Sequence, residues 1–84
     1  MSLSPELVRR LRNTPVRELD RALHRDGFTY RRTRGSARVY RHPDGRRTVL
    51  HYHRSNDTLP IGTLRSILSG TRWTQEDLER LGLL

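Results

Sequence analysis

Gly35-Ser36-Ala37-Arg38-Val39-Tyr40-Arg41-His42-Pro43-Asp44-Gly45 lies near the middle of an 84-residue chain and holds two turn signals with one strand between them. Gly35-Ser36 has the composition of a tight hairpin turn. Pro43-Asp44-Gly45 is a stronger signal, because proline presets φ and glycine takes the positive φ needed before a following strand. Working outward, Phe28 to Arg32 alternates apolar and polar residues, with Phe28 and Tyr30 facing one way. Ala37 to Arg41 forms a second strand, and Arg47 to Tyr52 a third. Each strand has one apolar side to cover, which predicts a three-stranded antiparallel sheet with helices on one face.

The flanks supply those helices. Val16, Leu19, Ala22 and Leu23 recur at helical spacing after Thr14-Pro15, which reads as a cap followed by a first-turn proline; Gly27 supplies the stop. Leu59-Pro60-Ile61-Gly62-Thr63 leads into a helix carrying Leu64, Ile67 and Leu68, with Gly70 expected to end it. Two short helices lie outside this frame. One opens at Ser4-Pro5-Glu6 and ends near Arg12; the other opens at Thr74-Gln75-Glu76-Asp77, close to a capping box, and buries Leu78 and Leu81. The reading is one α+β domain over residues 1–84, ordered α-β-β-β-α with an added helix at each end. There is no internal repeat and no linker long enough to divide it.

Composition narrows the function. The basic residues are 17 in number and all arginine. Eight of them (31, 32, 34, 38, 41, 46, 47 and 54) fall between Arg31 and Arg54 against a single acid, Asp44, whereas the other nine face eight acids. Guanidinium groups grip phosphate oxygens two at a time, so a local excess of arginine at a formal charge of +8 points to nucleic acid. The arginines cluster on the predicted sheet and not along one helix, which favours RNA over a major-groove DNA reader. Leu, Ile, Val and Phe total 20 of 84 residues, enough for a folded domain but not for a large enclosed active site. With no cysteine there is neither a disulfide framework nor a thiolate metal site, and no apolar stretch has the length of a membrane span. A cytosolic protein that makes no membrane contact is expected.

The four histidines are the groups suited to proton transfer near neutral pH. His24 sits at the end of the first long helix and His42 beside the tight turn, positions that suit a solvated residue and a brace. His51 and His53 share one face of the predicted third strand, where they either approach a common ligand or form a polar outer face. No carboxylate or cysteine stands at ligand spacing, so no metal is assigned, and no phosphate-loop or dinucleotide fingerprint implies a cofactor. Tyr30, Tyr40 and Tyr52 fall one per strand among the arginines, where they either stack on bases or pack the sheet.

The order of residues says more than their types. Gly35-Ser36-x-Arg38-Val39-Tyr40-Arg41-His42-Pro43-Asp44-Gly45-Arg46-Arg47, then His53, then Leu59-Pro60-x-Gly62-Thr63-Leu64-Arg65-Ser66-Ile67-Leu68, resembles the HicA family of toxins from type II toxin-antitoxin systems over roughly Val16 to Leu68. The resemblance implies a double-stranded-RNA-binding-domain-like fold, metal-independent endoribonuclease activity on messenger RNA, and inhibition by a HicB antitoxin. It also places the catalytic histidine after the Gly-Ser pair, where this chain has Ala37. An alanine methyl can neither take nor give a proton, so the protein is expected to be inactive or severely impaired. The intact flanks make Ala37 read as a deliberate replacement for histidine. His53 matches a family position and is expected in a supporting role, with Arg34, Ser36, Arg38, Tyr40, Arg41, Arg46 and Arg47 binding RNA. A non-catalytic RNA-binding module, in which Ala37 is original, is the alternative.

Overall fold

A computed structural model describes residues 3–35 and 37–84, apart from the side chains of residues 31–34. The elements run α1 (Pro5–Arg10), α2 (Val16–Arg25), β1 (Thr29–Arg34), β2 (Ala37–Arg41), β3 (Arg47–His51), α3 (Ile61–Thr71) and α4 (Gln75–Arg80). The strands form one antiparallel sheet in the order β1-β2-β3. The expected α+β order is therefore present, and the core α2-β1-β2-β3-α3 carries α1 and α4 as additions. Among the described residues no helix is long and apolar enough to cross a membrane.

Local signals account for most element ends. Ser4 Oγ accepts from the Leu7 N–H at 3.2 Å, and Thr74 with Asp77 closes a complete capping box on α4. Gly45 takes φ +99°, the positive value required for the chain to re-enter the sheet as β3. Three expectations change. Thr14 does not cap α2. Pro15 occupies the cap position, and the free N–H groups of Val16 and Arg17 bond instead to the carbonyls of Asp57 and Ser55 at 2.8 and 3.2 Å, so a distant loop does the work of a cap. β3 stops at His51, which leaves His53 in the bend beyond it, and the two histidines do not share a strand face.

The third change is at Gly70, which lies inside α3 and does not end it; Arg72 closes the helix in the left-handed region at φ 55°. Gly70 is needed for proximity. A methyl there would lie 2.5 Å from the Arg47 carbonyl oxygen and 2.9 Å from Thr48 Cβ, because α3 is laid directly on β3 and takes a hydrogen bond from Thr48 Oγ1 on the Ile67 carbonyl at 3.2 Å. Alanine normally favours a helix over glycine by about 1 kcal/mol. Here the clash is with backbone, so Gly70→Ala is expected to lower stability by about 1–3 kcal/mol, read as a lower urea midpoint. A raised midpoint would show that helix and strand are not this close.

The core lies between the sheet and the helices. Val16, Leu19, Ala22 and Leu23 of α2 are all buried, as their spacing predicts, and meet Phe28, Tyr40, Leu50, Leu64, Ile67 and Leu68. Trp73 and Leu78 extend this core under α4, and Val8 with Leu11 attaches α1.

Candidate nucleic-acid interface

Strand register sorts the basic hairpin into two faces. Arg38 pairs with Leu50 and Tyr40 with Thr48, and since Tyr40, Thr48 and Leu50 are buried, this is the face covered by the helices. The alternate residues make three rungs on the outer face: Ala37 with His51, Val39 with Val49, and Arg41 with Arg47. Arg41, Arg47 and His51 are exposed, and the alanine and both valines are half-buried. Arg34 stands opposite Ala37 from β1, although its side chain, like the whole of Ser36, lies outside the described residues.

The Arg41–Arg47 rung is electrostatically unfavourable as it stands. Like charges placed directly opposite on a sheet repel, and neither guanidinium has an ion-pair partner among the described residues. An anion placed between them removes the repulsion and gains charge-assisted hydrogen bonds from both. Among the described residues, the pair offers an anion two exposed guanidiniums on one face.

Arg38 points the other way. Its guanidinium stacks 4.0 Å from the Tyr52 ring centroid and 5.6 Å from that of Tyr30, and lies 3.9 Å from Asp20 Oδ1. The Tyr40 hydroxyl donates to the same Asp20 oxygen, and His24 Nε2 is 3.3 Å from it. Burial pushes the Tyr40 phenol well above its ordinary pKa, and the Asp20 hydrogen bond adds to this, so the hydroxyl remains a donor. Tyr40 is fully buried and cannot stack on a base, which corrects its expected RNA contact. Arg38 emerges as a clamped cation at the sheet end, with its side chain 35% exposed.

Arg46 is also committed elsewhere. Its Nη1 donates to the Thr71 carbonyl at 2.6 Å and lies 3.1 Å from Asp26 Oδ2, its Nε lies 2.8 Å from Asp44 Oδ2, and the guanidinium covers the Phe28 ring at 4.9 Å. With 16% of its side chain exposed, Arg46 braces the fold and is not free to bind RNA. His42 completes the brace. Its Nδ1 lies 3.1 Å from the Asp44 backbone nitrogen and 2.9 Å from Asp44 Oδ1, and its Nε2 sits 2.8 Å from the Asp26 carbonyl oxygen. The hub is Asp26, whose side chain is 8% exposed. Burial raises its pKa, but hydrogen bonds from Trp73 and Arg80 and the charges of Arg46 and Arg80 outweigh it and hold the carboxyl below 3.8.

The sheet therefore does not bring His53 to Ala37 along a strand; it brings His51 there. Sequence reasoning placed both histidines on one strand and could not choose by register, since register depends on two turns and the buried face acting together. A cleft of about 430 Å³ runs between β3 and α3, lined by Arg47, Val49, His51, Thr63 and Ser66 among others. Among the described residues no group of three or more histidine or acidic side chains is arranged to hold a metal.

Residues 16–73 match the family model described as HicA toxin of bacterial toxin-antitoxin systems. No curated protein matches the chain. The matched segment begins with α2 and ends at Trp73, so it contains the whole sheet and both helices laid on it.

Proposed function

The chain belongs to the HicA toxin family of bacterial toxin-antitoxin systems, and from that premise we propose that it is the messenger-RNA-cleaving toxin of such a pair, with its chemistry disabled at Ala37. The observation that carries the RNA reading is the outer sheet face, where two unpaired arginines oppose each other two rungs from the Ala37–His51 pair. Phosphate binding there needs no change of fold. Arg41 and Arg47 hold the backbone, and the family motif adds Arg34 and Ser36 to that grip. Arg38 contributes field from the sheet end, and His53 supports from the bend after β3.

A HicB-like antitoxin is the protein partner this reading requires. An acidic surface on that partner neutralises the arginine face while covering the RNA, and association is faster at low salt. Ala37 itself favours a second reading, in which the chain is a natural RNA-binding module without catalysis. The Ala37→His protein separates the two, since only a toxin scaffold gains cleavage from one imidazole.

RNA binding is tested with the protein as it stands. Each phosphate contact contributes about −0.7 to the slope of log affinity against log salt on single strands. Replacing Arg41 and Arg47 together by alanine is expected to make that slope shallower by about 1.4 and to weaken all RNA sequences alike, measured by fluorescence anisotropy across a salt series. A slope the double substitution leaves unchanged removes this face from consideration. Equal affinity for duplex DNA and RNA would instead favour a DNA-binding regulator.

A further inference from the structure

We infer that His51 is the second proton-transfer residue of the RNA-cleaving site, paired across the sheet with the side chain at position 37; this rests on the toxin reading given above. The register makes residues 37 and 51 direct antiparallel partners, which puts their Cβ atoms about 4.5–5.5 Å apart on one face. Two imidazoles at that separation can bracket one phosphodiester, each reaching a different oxygen.

The other histidines have no cross-strand pairing with position 37. His24 lies on α2 beside Asp20, on the helix side of the sheet. Both ring nitrogens of His42 are engaged by the Asp26 carbonyl and by Asp44. His53 lies beyond the strand end. His51 is exposed, has no hydrogen-bond or ion-pair partner among the described residues, faces position 37 and lines the cleft against α3. The rung of Arg41 and Arg47 is four residues along, about 13 Å, so it holds a neighbouring phosphate and leaves the scissile one to the histidine rung.

The chemistry balances without metal or redox partner. One imidazole takes the proton of the ribose 2′-hydroxyl as that oxygen attacks the adjacent phosphorus. The bond from phosphorus to the 5′-oxygen breaks, and the other imidazole, starting protonated, gives its proton to that leaving oxygen. The products are a 2′,3′-cyclic phosphate and a free 5′-hydroxyl, and one proton has moved from one imidazole to the other.

Single-turnover cleavage of a short RNA tests this. Relative to Ala37→His, the double variants Ala37→His/His51→Ala and Ala37→His/His51→Gln are expected to be about 10²–10⁴-fold slower, a larger loss than Ala37→His/His53→Ala shows, while Ala37→His/His24→Ala stays within a few-fold. RNA affinity, measured in the Ala37 protein, is expected to change less than threefold on His51→Ala, which separates lost chemistry from lost folding. A substrate whose leaving 5′-oxygen is replaced by sulfur needs no proton on departure. On it, whichever protein retains the base, the Ala37 protein or Ala37→His/His51→Ala, is expected to regain most of the lost rate. The inference is overturned if Ala37→His is active and His51→Ala leaves it so, if the loss follows His53 instead, or if the sulfur substrate rescues neither protein. An Ala37→His protein that cleaves nothing overturns the toxin reading and this inference with it.

Discussion

Ala37→His is expected to convert a protein that only binds RNA into one that cuts it, with a rate gain of about 10²–10⁴-fold on messenger RNA. Ala37 opens β2 on the outer face and is half-buried, so an imidazole there extends toward solvent without displacing any core residue. Its effect on stability is expected to be within about 0.5 kcal/mol, as for surface positions free of special contacts. On the proposed reading the Arg41–Arg47 rung holds phosphate with or without the imidazole, so RNA affinity is expected to change little while the barrier to the chemical step is lowered by about 3–5 kcal/mol. The check is RNA decay and growth arrest on expression, both expected to be relieved by co-expression of a HicB-type antitoxin that binds the protein. A folded Ala37→His protein that binds RNA and leaves it intact would establish the binding-module reading.

Asp26→Ala is expected to be strongly destabilising, on the scale of truncating a core side chain. Asp26 accepts from the Trp73 indole at 2.9 Å and from Arg80 at 2.7 Å, and lies 3.1 Å from Arg46, so it joins the end of α2 to the β2–β3 hairpin, to the core tryptophan and to α4. Removing one partner of a buried pair is strongly destabilising; here Arg46, with a side chain 16% exposed, is left with only the half-exposed Asp44 carboxylate, and the Trp73 indole loses its acceptor, at a cost of about 3 kcal/mol. A domain of this length has a total stability of about 4–13 kcal/mol, so the variant is expected to be partly unfolded at 37 °C. Urea denaturation reads this as a lower midpoint at unchanged slope. Asp26→Asn keeps an acceptor for Trp73 and is expected to lose less.

The same carboxylate sets a pH dependence. Its folded pKa is below the ordinary 3.8, so its contribution is fully present above 3.8 and is lost as pH falls through the lower folded value. Acid unfolding of the parent is therefore expected to steepen below about pH 4, and Asp26→Asn to flatten that part of the curve. A loss under 1 kcal/mol for Asp26→Ala would show that the network is ornamental.

How much of this was legible beforehand differs by residue. The helix carrying Val16, Leu19, Ala22 and Leu23, the turn at Gly45 and the capping box at Thr74 follow from neighbours within four positions, and all three stand in the structure. Gly70 was misread because a glycine late in a helix has two meanings, a stop or a close approach, and only the Arg47 carbonyl decides between them. Tyr40 and Arg46 were misread for a related reason. Strand alternation places Tyr40 on a face without saying that Asp20 closes over its hydroxyl, and a basic run does not reveal which arginine meets Asp26.

Chain order, strand count, charge location and family motif were thus all present in the linear chain, because each arises from local periodicity, turn chemistry or composition. The pairing of His51 with Ala37, the opposed Arg41 and Arg47, and the withdrawal of Arg46 into the fold arose only on folding. These depend on register and on partners up to 25 positions apart, as between Arg46 and Thr71, and no local rule carries such contacts.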